Sequence, residues 1–148
     1  MSKMKTILSV GVAGLLTLAA CGGGSETGDD NGAPSGGVRT VEVTALDTLR
    51  FEPASISVAT GETVRFVVTN DGEIDHEFVL GDEEIQMAHE AQAGQMDHMM
   101  ADAIAALDLK PGETREATVT FDQAGEILFG CHEPGHYNGG MVGTVAVG

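Results

Sequence analysis

The stretch Phe129–Val147 reads FGCHEPGHYNGGMVGTVAV and places Cys131, His136 and Met141 in a C-x4-H-x4-M spacing. A strand ends at the Cys, the His sits on a loop rich in Gly, and the Met opens a second strand of alternating Val. One tight loop can therefore aim three donors at a single point. His76, far upstream in DHEFVL, supplies a fourth donor from a neighbouring strand. One thiolate, two imidazoles and one thioether are the donor set of a mononuclear blue-type copper centre. In such a centre two His and one Cys form a trigonal plane and Met is a weak, long axial ligand. Each residue alone has a plainer reading. A buried Cys is usually a small hydrophobe, a Met flanked by glycine is usually packing, and a lone His is usually a hydrogen-bonded surface or core residue. Four soft or borderline donors in this order outweigh those readings and point to one copper ion held by His76, Cys131, His136 and Met141.

Outward from that loop the chain reads as strands. Val41–Thr44 alternates as V-E-V-T, Ile56–Val58 gives I-S-V, and Thr63–Thr69 is rich in β-branched residues and closed by the turn signal Asn70-Asp71-Gly72. His76–Leu80 puts His76, Phe78 and Leu80 on one face at period two. Lys110-Pro111-Gly112 predicts a turn, Glu116–Phe121 alternates again, and Glu126–Phe129 leads into Cys131. Seven or eight short strands separated by turn signals predict an all-β, Greek-key β-sandwich. One segment departs from period two. Between Gly81 and Asp108, Met96, Met99, Met100, Ala103, Ile104 and Leu107 recur at helical spacing, which predicts a helical insertion over residues 82–108, divided at Gly94. This segment also holds Met87, His89 and His98. A labile Cu(I) site is one reading of that content, and a core-facing Met stripe is the other.

The first twenty residues read as a secretory leader, with Lys3 and Lys5 ahead of an apolar run from Ile7 to Ala20. That run is shorter than the roughly 20 residues a membrane span needs. It ends in Leu18-Ala19-Ala20-Cys21, which resembles a bacterial lipobox, whose Cys becomes the acylated N-terminus. Residues 21–37 are dominated by Gly, Ser, Asp and Glu and are expected to act as a flexible tether. Residues 38–148 form one domain of ordinary size. With Cys21 taken by lipid, Cys131 is left without a disulfide partner, and a metal accounts for a free thiol in an exported protein. The formal net charge is −16, and loss of the leader removes two lysines. So acidic a chain excludes nucleic acid, which needs a basic footprint. It favours cationic partners or a surface suited to high salt, and a charged surface that simply keeps the protein soluble accounts for it equally well.

The folded part resembles the cupredoxins from its first strand to its last. The resemblance rests on DHEFVLG, LKPGET, the strand ending in FDQAG, and FGCHEPGHYNGGMVGTVAV. The C-x4-H-x4-M spacing is similar to that of auracyanin- and rusticyanin-like members. The HEFVLG start, the Met/His-containing insertion and the PGHYNGGMVG ending look closer still to periplasmic cupredoxins of copper resistance. The resemblance implies His76, Cys131 and His136 as equatorial ligands, Met141 as the axial ligand, and no catalysis by this domain alone. Many members carry Asn beside the first His ligand, where this chain has Glu77, which leaves open what donates a hydrogen bond to the thiolate.

Function follows in outline. A frame that keeps nearly the same geometry for Cu(I) and Cu(II) suits a single-electron carrier tethered to a membrane. The loop around His136 would leave its imidazole edge near the surface, as a port for transient docking of redox proteins by a monomer. His132, next to Cys131, should point away from the copper and reads as a surface histidine. The alternative is a periplasmic or extracellular copper-binding protein for resistance or delivery that uses the Met/His-containing insertion. An enzyme is the weakest reading, because paired H-x-H motifs and a second Cys in the ligand loop are both missing.

The lipobox reading has a direct test. Mass spectrometry of the mature protein should find an acylated Cys21 as its first residue, each buried methylene adding roughly 0.8 kcal/mol of membrane attachment. Cys21→Ala should release the protein or leave it unprocessed. A mature N-terminus without acyl chains contradicts the reading.

Overall fold

The computed structural model describes residues 37–94 and 103–148. The leader, Cys21 and most of the tether, together with Met96, His98, Met99 and Met100, lie outside the described residues. Among the described residues nine strands and one helix follow in order: β1 (Val38–Leu46), β2 (Arg50–Glu52), β3 (Ser55–Val58), β4 (Glu62–Asn70), β5 (His76–Gly81), α1 (Glu83–Glu90), β6 (Ala105–Leu109), β7 (Thr114–Phe121), β8 (Gly125–Gly130) and β9 (Val142–Val147). One sheet has the order β2-β1-β4-β7 and the other β3-β9-β8-β5-β6. The pairings β1–β4 and β3–β9 are parallel and the rest antiparallel. This is the expected β-sandwich.

Alternation builds the core. Val41, Val43 and Ala45 of β1 face Val64, Phe66 and Val68 of β4 along one sheet, and Phe78, Leu80, Phe129 and Val145 line the other. Four phenylalanines from both sheets meet at the centre: Phe51 is edge-on to Phe78 at 5.9 Å and to Phe129 at 5.3 Å, while Phe66 lies 5.6 Å from Phe78. Edge and tilted arrangements suit the ring quadrupole.

Strand β5 carries the upstream His and is buried on both faces. Its inner face enters the core, and its outer face lies beneath α1. The helix starts where its cap dictates: Asp82 accepts from the Ile85 amide at 3.0 Å, and Glu83 and Glu84 complement the positive end of the helix dipole. Gly81 lets the two elements touch, since a Cβ there would lie 2.5 Å from the Ile85 side chain.

The insertion is shorter than its sequence spacing predicts. Helix α1 ends at Glu90, and Ala105–Leu109 form β6, with Phe78 opposite Leu107. Ala105, Leu107 and Leu109 also fit period two, and pairing with the edge of β5 satisfies a ladder of backbone groups that the helical spacing cannot supply.

The ligand-loop hairpin β8–β9 leaves room for its own core. Gly143 lies opposite Phe129, and a Cβ there would sit 2.3 Å from the Phe129 ring and 2.8 Å from the Ala54 carbonyl oxygen. Gly143→Ala should therefore cost about 1–3 kcal/mol of stability through overpacking. Denaturant unfolding checks this, and an unchanged midpoint contradicts it.

Candidate metal centre

The two ends of the site are set by strand register. His76 is the first residue of β5, and Cys131 follows the last residue of β8, two neighbouring strands of one sheet. His136 belongs to the loop that leaves Cys131. One donor atom from each of His76, Cys131 and His136 lies within 4.8 Å of the other two. Cys131 Sγ is 3.3 Å from His136 Nδ1 and 3.9 Å from His76 Nδ1, and the two imidazole rings are 5.1 Å apart. Met141 is fully buried at the far end of the loop. Its amide donates to the His136 carbonyl at 3.0 Å, and its carbonyl accepts from the Cys131 amide at 3.1 Å. The loop thus closes on itself with Cys131, His136 and Met141 joined through the backbone.

Cys131 is buried, which disfavours its thiolate and pushes the thiol up to about 12. The amides of Glu77 and Glu133 counter this by donating to sulfur, the first at 3.2 Å. The Glu77 backbone therefore fills the role that its side chain left open. A thiol so placed stays protonated at neutral pH unless a cation holds the thiolate. Burial and the nearby His76 hold the His136 imidazole below the usual histidine range, in the neutral form that can donate a lone pair to a metal. A soft sulfur beside two imidazole nitrogens fits copper.

His76 is oriented by a residue that its sequence neighbourhood does not announce. Its Nε2 lies 3.2 Å from Asp47 Oδ1. A carboxylate only accepts, so Nε2 carries the proton and Nδ1 is left free to face sulfur. Asp47 also accepts from the Glu73 amide at 2.8 Å, and these contacts hold its carboxyl below the ordinary carboxylate value. The Asn70-Asp71-Gly72 turn makes room for it: a Cβ on Gly72 would sit 1.9 Å from Asp47 Oδ1. From the start of β2, just after the β1–β2 connection that carries Asp47, Arg50 donates to the carbonyls of Gly139 and Gly140 in the ligand loop, at 3.3 Å each. Gly140 takes φ +94, a conformation that favours glycine.

His132 does not lie on the surface. It points away from the donor cluster, as expected, but it is fully buried under α1. Gln86 of α1 and Tyr137 of the loop enclose it and meet its polar atoms and its ring face. His89 is also buried, with its ring 5.6 Å from that of His132, whereas Met87 is 60% exposed.

Comparison with known proteins agrees with this geometry. The sequence pattern of copper-binding proteins of the plastocyanin/azurin family matches residues 39–148. A protein of Rubrivivax gelatinosus named copper-resistant cuproprotein CopI is 45% identical over 109 residues, which cover 74% of this chain and 66% of that protein. Auracyanin-A of Chloroflexus aurantiacus is 35% identical, with 88% of this chain and 89% of that protein covered. Among solved structures, reduced auracyanin of Roseiflexus castenholzii superposes with a TM-score of 0.67 at 29% identity, covering 74% of this chain and 96% of that one.

The role of Asp47 can be measured. Asp47→Ala should weaken metal retention by about 10–100-fold, the usual loss when a group that orients a ligand is removed. Competition with a chelator reads the affinity. An unchanged affinity means that Asp47 does not orient His76.

Proposed function

Because the chain belongs to the plastocyanin/azurin family of copper-binding proteins and its cofactor is one type 1 copper ion, we propose that it is a single-electron carrier. In this reading His76, Cys131 and His136 are the trigonal donors and Met141 is the axial one. The observation that carries the reading is the pattern of burial: His76, Cys131 and Met141 are buried, and His136 alone of the four meets solvent. Copper, when bound, supplies the one-electron couple. The chain supplies a site that need not rearrange. Asp47 fixes the His76 tautomer, the Glu77 amide supports the thiolate, and the half-buried His136 edge is where a redox protein docks for transfer. The acidic surface suits a cationic partner, and the domain works as a monomer without catalysis of its own. Lys3, Lys5 and the Leu18–Cys21 lipobox support export and lipid attachment at Cys21, with residues 21–37 as the tether between the membrane and the copper domain.

A second reading is copper tolerance. It is favoured by the similarity to the relative named copper-resistant cuproprotein, 45% identical over 109 residues. It uses the same type 1 site and adds copper handling by the insertion, where the exposed thioether of Met87 suits cuprous ion. Stoichiometry separates the two: a carrier holds one ion, and a handler takes up further exchangeable Cu(I).

Two substitutions test the ligand assignment. Cys131→Ser should abolish the intense visible thiolate-to-copper band. Met141→Leu should keep copper and raise the reduction potential, because the thioether stabilises Cu(II) more than Cu(I). Spectroscopy and voltammetry decide it. Retained colour in the first variant, or a lower potential or lost metal in the second, contradicts the assignment.

A further inference from the structure

Helix α1 reaches the ligand loop through two side chains that take no part in the donor set. Gln86 is fully buried. Its amide nitrogen lies 2.9 Å from the Val79 carbonyl, 3.3 Å from that of Leu128 and 3.4 Å from that of Gly81, which fixes the orientation of the amide. Its oxygen is thereby turned toward His132 and accepts from Nε2 at 2.8 Å. Glu90, one turn on, divides its carboxylate: Oε2 lies 3.1 Å from His132 Nδ1, and Oε1 accepts from Asn138 Nδ2 at 2.5 Å. One carboxylate therefore grips the loop on both sides of His136. The ring of His132 stacks on Tyr137 at 4.8 Å and 20°.

The sequence accommodates this contact at the residue before Cys131. A Cβ on Gly130 would lie 2.6 Å from Gln86 Oε1 and 2.7 Å from the Tyr137 ring, so only glycine admits both. The loop has bonds of its own, from the His136 amide to the Glu133 carbonyl and from the Gly139 amide to the Gly135 carbonyl, both at 2.9 Å. Those bonds shape the loop and do not anchor it. Gln86 ties it to the carbonyls of β5 and β8, and Glu90 sets its distance from the helix.

Taking Cys131 and His136 as copper donors, as the proposed function does, we infer that Gln86 and Glu90 are positioning residues of the copper site. They hold His132, next to Cys131, and Asn138, two residues beyond His136, while His132 stacks on Tyr137 beside His136; in this way they set the sulfur and nitrogen positions that the metal meets. A cap that merely stabilised the helix would affect folding and leave the electronic properties of the site alone.

The test uses the full-length copper-loaded protein. Glu90→Ala and Gln86→Leu should shift the reduction potential and the intensity ratio of the thiolate charge-transfer bands, with copper remaining at one per chain. Glu90→Gln, which can still bridge His132 and Asn138, should restore both readouts most of the way to wild type. Glu84→Ala, on the exposed side of the same helix, should move neither. In metal-free Glu90→Ala protein, amide hydrogens of residues 132–140 should exchange faster. If Glu90→Ala keeps the wild-type potential and band ratio, the inference is overturned, whatever happens to its melting temperature or amide exchange. Should Gln86→Leu fail to fold, the Glu90 pair decides alone. Wild-type protein that bound no copper would defeat the proposed function instead, a separate outcome.

Discussion

The hydrogen bond from the Glu77 amide to Cys131 Sγ, at 3.2 Å, is the contact on which the site depends. It joins the start of β5 to the end of β8 at the point where the chain turns from sheet to ligand loop. Burial pushes the Cys131 thiol up to about 12 even with this contact in place, and without it the proton would be held more tightly still. Two backbone amides ease the thiolate without closing off its remaining coordination. They belong to the residues following His76 and His132, so the frame that lowers the cost of the anion also carries a neighbouring imidazole. Strand pairing, burial and electrostatics converge on one sulfur atom.

Around that sulfur the ligand loop is restrained from three directions. Its ends are tied by the bond between the Cys131 amide and the Met141 carbonyl. Arg50 holds the carbonyls of Gly139 and Gly140 from the β1–β2 side, and Gln86 with Glu90 holds the other flank from α1. A loop of this composition would be mobile if left alone, because glycine retains the most backbone freedom to be lost. External restraint is what lets a glycine-rich segment present His136 at a fixed distance from sulfur while keeping its edge near solvent.

The residues that bring donors together were legible from the sequence, and the residues that hold them were not. C-x4-H-x4-M and the period-two run from His76 each carry their own signal, because a hairpin and a strand translate short spacing directly into position. Asp47 and Arg50 act on His76 and on the loop from far away in the chain, and nothing in Asp47-Thr48-Leu49-Arg50 distinguishes a support from an ordinary turn. His132 read as a surface residue because its environment is made by Gln86 and Glu90, on a helix whose placement over β5 no local pattern reveals. The segment 105–109 failed for a different reason. A-A-L-D-L fits both periods, and only the open edge of β5 chooses between them.

These restraints favour a site that takes one metal and changes little when its charge changes, which is the physical requirement of an electron carrier. They bear equally on a copper-tolerance role, since a preformed buried site whose sulfur yields its proton to a metal also binds copper tightly. X-ray absorption at the copper edge, combined with a metal count on wild-type protein in both oxidation states, tests the central claim most directly. One copper per chain with one short sulfur and two nitrogen donors, nearly unchanged on reduction, is the predicted result. A shell without short sulfur, or one that rearranges on reduction, would contradict it.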